Sequence, residues 1–252
     1  MRGLLVALLV LGGAAGARAE SLVTSLSTSR VLITGNFTGS AVVVFGAIER
    51  DGQSVARPGG YDVVVTVRGP RQSLVVREKE MLGPVWINQA QQKFVGVPAY
   101  LGVFASQPLD EVTTDALRQR FRIGVRAIVE APDFAIERGD TDPFREALMR
   151  LRIRDGLYLE RERGVTFLTP TLFRAPIPIP ATAPTGNYEV EVALFSDSVL
   201  LSKAQNNFEL AKVGFEQRVG EAARERSAVY GLATAGVALL FGWIASVIFR
   251  RD

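Results

Sequence analysis

The residues with the clearest capacity for chemistry are arginines at two-residue spacing: Arg118, Arg120 and Arg122, then Arg150, Arg152 and Arg154. A guanidinium presents a planar fork of donors that matches an oxyanion, so these six define a candidate surface for a small anion or a lipid headgroup. Their surroundings favour a plainer role. Between Leu117 and Arg163 eleven arginines stand among nine acidic residues, as on a solvated, mutually paired face. Glu160 and Glu162 could form a carboxylate pair, since i and i+2 on a strand share one face. Arg161 and Arg163 flank them, and surface ion pairs account for them better. Asp140-Thr-Asp142 has the form of the start of a calcium loop, but Pro143 follows and the later ligands are absent. A helix cap is the better assignment. Asn36-Phe-Thr38 is a glycosylation sequon in form only.

The 252 residues contain no cysteine and no histidine. That removes thiol nucleophiles, disulfides, Cys-ligated zinc and iron–sulfur clusters, and with histidine the usual general base and commonest metal ligand. There is no Ser-x-x-Lys, no Gly-x-Ser-x-Gly and no phosphate-cradling glycine loop. The expectation is a non-enzyme with no catalytic, cofactor-binding or metal-binding residue.

The ends of the chain are unlike its middle. Arg2, the apolar run Leu4–Leu11 and Ala17-Arg18-Ala19 form a secretory signal over 1–19. Ser227–Phe249 is an uncharged run of 23 residues between Arg226 and Arg250-Arg251, with Tyr230 and Trp243 near its ends. At 1.5 Å per residue it reaches about 34 Å, so a transmembrane helix is expected over 227–249. Export then puts an ectodomain outside the membrane to which this helix tethers it, and leaves 250–252 as a cytoplasmic tail. Without the ends the chain holds 25 basic and 25 acidic residues, so the pI of about 9.4 is no argument for nucleic acid. Ala228, Gly231, Ala235, Ala238, Gly242 and Ala245 follow alternating three- and four-residue spacing. They form one stripe of small side chains, a packing face for another helix.

From Glu20 to about Val97 the pattern is β: Arg30–Thr34, Ala41–Ile48, Tyr61–Val67 and Ser73–Arg77, separated by Gly, Pro, Asn and Asp turns. Trp86, within Val85-Trp86-Ile87, is expected as a core aromatic between two sheets. Residues 97–156 read as a helical insertion. One helix spans Asp110–Arg122, with Val112, Ala116, Leu117 and Phe121 at helical spacing. A second starts at Asp142-Pro143, with Phe144, Ala147, Leu148 and Leu151 on one face. Strands return at Gly156–Glu162, Val165–Leu168 and Asn187–Phe195, the last paired with Val199–Leu210. Ala175-Pro-Ile-Pro-Ile-Pro180 can donate few ladder bonds and belongs on an edge or in an extended stretch. Tyr188 stands where a corner hydroxyl can bond back to the backbone. The fold class expected is mainly β: an immunoglobulin-like β-sandwich over 20–211 with a helical insertion, a helical stalk over 212–226 and one C-terminal transmembrane helix.

Several short passages resemble one family along nearly the whole chain. They are Phe37-Thr-Gly39, Val44-Phe-Gly46, Tyr61-Asp-Val-Val-Val65, Arg68-Gly-Pro70, Leu172-Phe-Arg174-Ala-Pro176 and Gly186-Asn-Tyr188. The chain resembles the uncharacterised alphaproteobacterial transmembrane proteins, exported and single-pass. The resemblance implies an envelope protein and suggests a permease of the sulfite- or anion-exporter type as partner; it carries over no functional residue. The function expected is a membrane-anchored, non-enzymatic accessory protein of an envelope complex. The alternative is a tethered periplasmic protein that binds a small anion. The partners expected are the lipid bilayer and an integral membrane protein or a second copy of the chain, with no nucleic acid.

Overall fold

The computed structural model describes residues 20–34, 38–50, 60–131, 135–136, 142–212 and 227–248. The segments expected as a signal (1–19), as the stalk beyond residue 212 and as the tail (250–252), together with Asn36 and Asp140, lie outside the described residues. The chain divides into two compact units, one holding Thr38–Leu210 and the chain up to Val31, the other Leu32–Phe37 with Ala211–Asp252.

The first unit is mainly β. One sheet has the order β1 (Ser21–Leu26), β3 (Gly39–Glu49), β11 (Leu172–Pro180), β10 (Thr166–Thr169). A second has the order β2 (Arg30–Ile33), β13 (Val199–Lys212), β12 (Gly186–Ser196), β4 (Asp62–Arg68), β7 (Leu101–Ala105), β9 (Tyr158–Arg161). A third comprises β5 (Arg71–Leu82), β6 (Val85–Pro98) and the short β8 (Ala135–Ile136). Alternation along the strands creates the core. On β11, Phe173, Ala175, Ile177 and Ile179 are buried; on β12, Tyr188, Val190 and Val192 are.

The proline-rich stretch is a strand, and its local edge position explains how. β10 pairs with β11 only as far as Arg174, whereas β3 pairs along all of it, with Pro176, Pro178 and Pro180 opposite Val43, Ala41 and Gly39. The prolines take alternate positions, so their missing N–H groups fall on the side β10 does not reach, while Ile177 and Ile179 fill the core.

Three buried tyrosines tie the strands to proline carbonyls. Tyr188 Oη donates to Pro184 O at 2.6 Å, Tyr100 Oη to Pro178 O at 2.7 Å and Tyr158 Oη to Pro98 O at 2.9 Å. The back-bond expected for Tyr188 is thus present. Burial pushes all three phenols well above the usual tyrosine range.

Two expectations need correction. Trp86 is not a core aromatic: it is 61% exposed at the tip of the β5–β6 hairpin, opposite Met81. An apolar triplet is read locally as core, but here its cross-strand partners lie at the end of a ribbon. Residues 97–156 are also not wholly a helical insertion, since Leu101–Ala105 is a strand buried at every residue. β7 pairs antiparallel with β4 and parallel with β9, and the helices form the crossover between the parallel pair.

The helix expected over Asp110–Arg122 divides into α1 (Leu109–Val112) and α2 (Asp115–Phe121). Thr113 between them is extended and its hydroxyl donates to Ser198 O at 3.5 Å, while Thr114 occupies the N-cap of α2. Adjacent threonines suit caps better than a helix interior. α3 (Val125–Val129) follows, and α4 (Asp142–Arg154) forms where the second helix is expected. Of its apolar face Leu148 is buried and Phe144, Ala147 and Leu151 are half-buried.

In the second unit α5 covers Ser227–Ile248. Among the described residues no helix is long and apolar enough to cross a membrane. The transmembrane helix expected over 227–249 is thus not found among them.

Candidate functional site

Four of the short passages come together in two pairs, and their roles there are structural. Phe173 stands opposite Gly46, and its ring occupies the space a side chain there would need. Only glycine fits on β3 at that point. Arg68-Gly-Pro70 and Gly186-Asn-Tyr188 form a second junction. A Cβ on Gly69 would sit 3.1 Å from Tyr188 Cε1, and one on Gly186, whose φ is +141°, would sit 3.1 Å from Pro70. Tyr188 stacks on Phe208 at 4.9 Å between centroids and tilts against Tyr100 at 5.8 Å.

Beside this junction is a cavity of about 480 Å³. The end of β4 brings Arg68, the start of β5 brings Arg71, β12 brings Glu191, and β13 brings Lys203. The C-terminal end of α2 adds Arg120 and Arg122. It is turned there because Arg122 adopts a left-handed conformation with φ of 57° and closes the helix through its N–H to Arg118 O and Gln119 O.

Glu191 organises the floor. Lys203 Nζ donates to Glu191 Oε1 at 2.7 Å, and Arg68 Nη1 donates to Glu191 Oε2 at 3.4 Å. Burial alone would raise the Glu191 pKa, but the Lys203 hydrogen bond and the charges of Lys203 and Arg68 outweigh it and hold the carboxyl below its ordinary value. Glu191 is 14% exposed, so it is an ion shielded from water and held between two cations. Lys203 Nζ also lies 5.7 Å from the Phe121 ring centre, and Arg120 lies 5.6 Å from the same ring. With Glu189 also on the wall, five cationic side chains face two carboxylates.

The six arginines expected as an anion surface do not converge. Arg120 and Arg122 line this cavity; Arg118 pairs with Asp115 and lines a different, shallower depression. Arg150, Arg152 and Arg154 are on α4, where Arg154 lies 3.5 Å from Asp155, and none of the three lines the cavity. Arg118 and Arg120 are about 200° apart around α2 and so lie on different sides, whereas Arg122 lies past the helix end in its left-handed conformation and lines the cavity with Arg120. Arg71, Glu191 and Lys203 gave no motif in the sequence, and Arg68 stood out only within the passage Arg68-Gly-Pro70. Clean alternation on β12, with Glu189 and Glu191 both off the buried face, is the one signal that places a carboxylate there.

The other residues singled out have structural positions. Glu160 Oε2 accepts the Val125 backbone N–H at 2.7 Å, and Glu162 lies beyond the end of β9. Among the described residues no group of three carboxylates is placed to hold a metal. Along α5 a side chain at Gly231 or Gly242 would meet nothing within 4 Å, and Ala235 and Ala238 are exposed. The side chains of Ala228 and Ala245 lie outside the described residues.

The chain belongs to the family described as "putative transmembrane protein (Alph_Pro_TM)", which matches residues 21–251. No curated protein matches the chain.

Proposed function

We propose that this is a membrane-anchored, non-enzymatic accessory protein of a bacterial envelope complex, with its β body in the periplasm. The observation that carries this reading is membership of the transmembrane family over residues 21–251. The uncharged run Ser227–Phe249 in the sequence supports it. The stripe Ala228, Gly231, Ala235, Ala238, Gly242 and Ala245 is then the face that docks an integral membrane partner, a transporter of the anion-exporter type, or a second copy.

The β body reads as an immunoglobulin-like recognition module. What supports it is a likeness: the sheet orders β1-β3-β11-β10 and β2-β13-β12-β4-β7-β9 include runs similar to A-B-E-D and G-F-C-C′ of such sandwiches, and the Tyr188 hydroxyl bonds back to Pro184 O as in a tyrosine corner. Affinity purification from native membranes tests the reading. An integral membrane protein should copurify with the wild-type chain and be lost when α5 is replaced by an unrelated apolar helix. Copurification that survives the replacement would sink it.

A second reading is favoured by the cavity: a tethered protein that binds a small oxyanion between Arg68, Arg71, Arg120, Arg122 and Lys203. Calorimetry with sulfite, sulfate and phosphate tests it. Binding at millimolar ligand should disappear in Arg120→Ala/Arg122→Ala, and absence of heat with the wild-type chain would retire it.

A further inference from the structure

The most unusual surface of the molecule lies away from the cavity, at the tip of the β5–β6 ribbon. Met81, Leu82, Val85, Trp86 and Ile87 are all large and apolar, and their exposure runs from 38% for Ile87 to 69% for Leu82. Between them stand only Gly83 and Pro84, so the tip 81–87 carries no formal charge. The register places Met81 opposite Trp86 on one face of the ribbon. Leu82 opposite Val85, with Ile87, occupies the other face. Below the tip the ribbon becomes polar at once, with Glu78, Lys79, Glu80, Asn88 and Gln89.

From these observations we infer that the β5–β6 tip inserts into the lipid headgroup and acyl boundary of a membrane. A groove on a protein covers one face of a ribbon, whereas here both faces are apolar and exposed at the same level. A fluid apolar medium that surrounds the tip satisfies both. The apolar zone extends over about 7–10 Å of strand, the depth to which interfacial segments enter the headgroup region. Deeper entry is opposed by the ribbon edges, since among the described residues β8 pairs with β6 only at Phe94 and Val95 and unpaired backbone groups are costly in hydrocarbon. The collar of charged and amide side chains marks where insertion stops. Trp86 sits on the apolar side of that collar, where an indole places its ring in the acyl boundary and its N–H near the headgroups. The bilayer is also the surface that membership of a transmembrane family brings to this chain.

The chain has two tryptophans, so Trp243→Phe leaves Trp86 as the sole indole. The full-length Trp243→Phe chain is placed in phosphatidylcholine vesicles, with and without lipid brominated near the headgroup end of the acyl chain. Trp86 emission is expected to be blue-shifted and largely quenched by the brominated lipid. Leu82→Asp/Val85→Asp in the same background puts two charges on one face of the tip without touching a buried residue. It should return the emission to the red and abolish the quenching. Red emission insensitive to brominated lipid overturns the inference. So does blue emission shielded from both acrylamide and brominated lipid, because a protein surface or a second copy then covers the tip. Quenching that persists in the double variant overturns it as well. These readouts do not involve partner copurification, so the inference and the proposed function can fail separately.

Discussion

Two antiparallel ribbons of nearly equal length have opposite fates. β12–β13 joins strands of 11 and 14 residues and β5–β6 strands of 12 and 14, each with a register shift along its length. In β12 everything from Val192 to Ser196 is buried; in β5–β6 everything from Arg77 to Gln89 is exposed except through its own pairing. The strand-forming residues are similar, so β propensity did not separate them. β12 lies between β4 and β13 inside a six-stranded sheet, whereas among the described residues the outer half of β5–β6 has no third strand. Propensity formed both ribbons and neighbours decided their burial.

Substitutions should widen or close that contrast. The largest effect is expected at Phe195 on β12, which is fully buried: Phe195→Ala should destabilise by about 3–5 kcal/mol in denaturant unfolding. A loss below about 1 kcal/mol would mean that β12 is less tightly packed than its burial implies.

Alkaline pH acts on the buried ribbon and its neighbours through Tyr188, Tyr100 and Tyr158, and β5–β6 has no tyrosine. Each phenol has a folded pKa raised above the ordinary value of 10.0, mainly by burial. Above that value the unfolded chain releases these protons while the folded chain keeps them. Stability contributed by the neutral phenols is therefore complete below about pH 10 and lost as pH rises beyond it. Phenolate absorbance of the folded chain should lag that of the denatured chain above pH 10, and coincident titrations would contradict the burial.

Tyr188→Phe removes one hydroxyl and leaves the Pro184 carbonyl without that donor, so a loss of about 1 kcal/mol is expected in the same unfolding measurement. It should also reduce the alkaline lag. The smallest effect belongs to the exposed ribbon: Trp86→Ala should change stability by no more than about 0.5 kcal/mol. A larger loss would place Trp86 in the folded core after all and remove the contrast.

Legibility followed range. The strands Arg30–Ile33, Gly39–Glu49 and Asp62–Arg68, the β12–β13 pair and the Tyr188 back-bond rest on patterns within a few residues, and all were readable. β7 was missed because Leu-Gly-Val-Phe-Ala is too short to declare a period and is buried on both faces. Arg118, Arg120 and Arg122 formed a visible cluster that the fold divides, whereas Arg68 and Glu191, 123 positions apart, meet with no local sign.

The sequence by itself determined which chemistries are closed, since the lack of histidine and cysteine needs no coordinates. It also determined the β character of the body and the uncharged helix at its end, because backbone pattern and side-chain polarity act over one or two turns. Only the tertiary structure decided that Trp86 faces outward, that the Phe173 ring needs Gly46, and that Glu191 holds two distant cations at one cavity. The reason is physical: alternation fixes which side a residue takes, but burial depends on whether another part of the chain arrives to cover it.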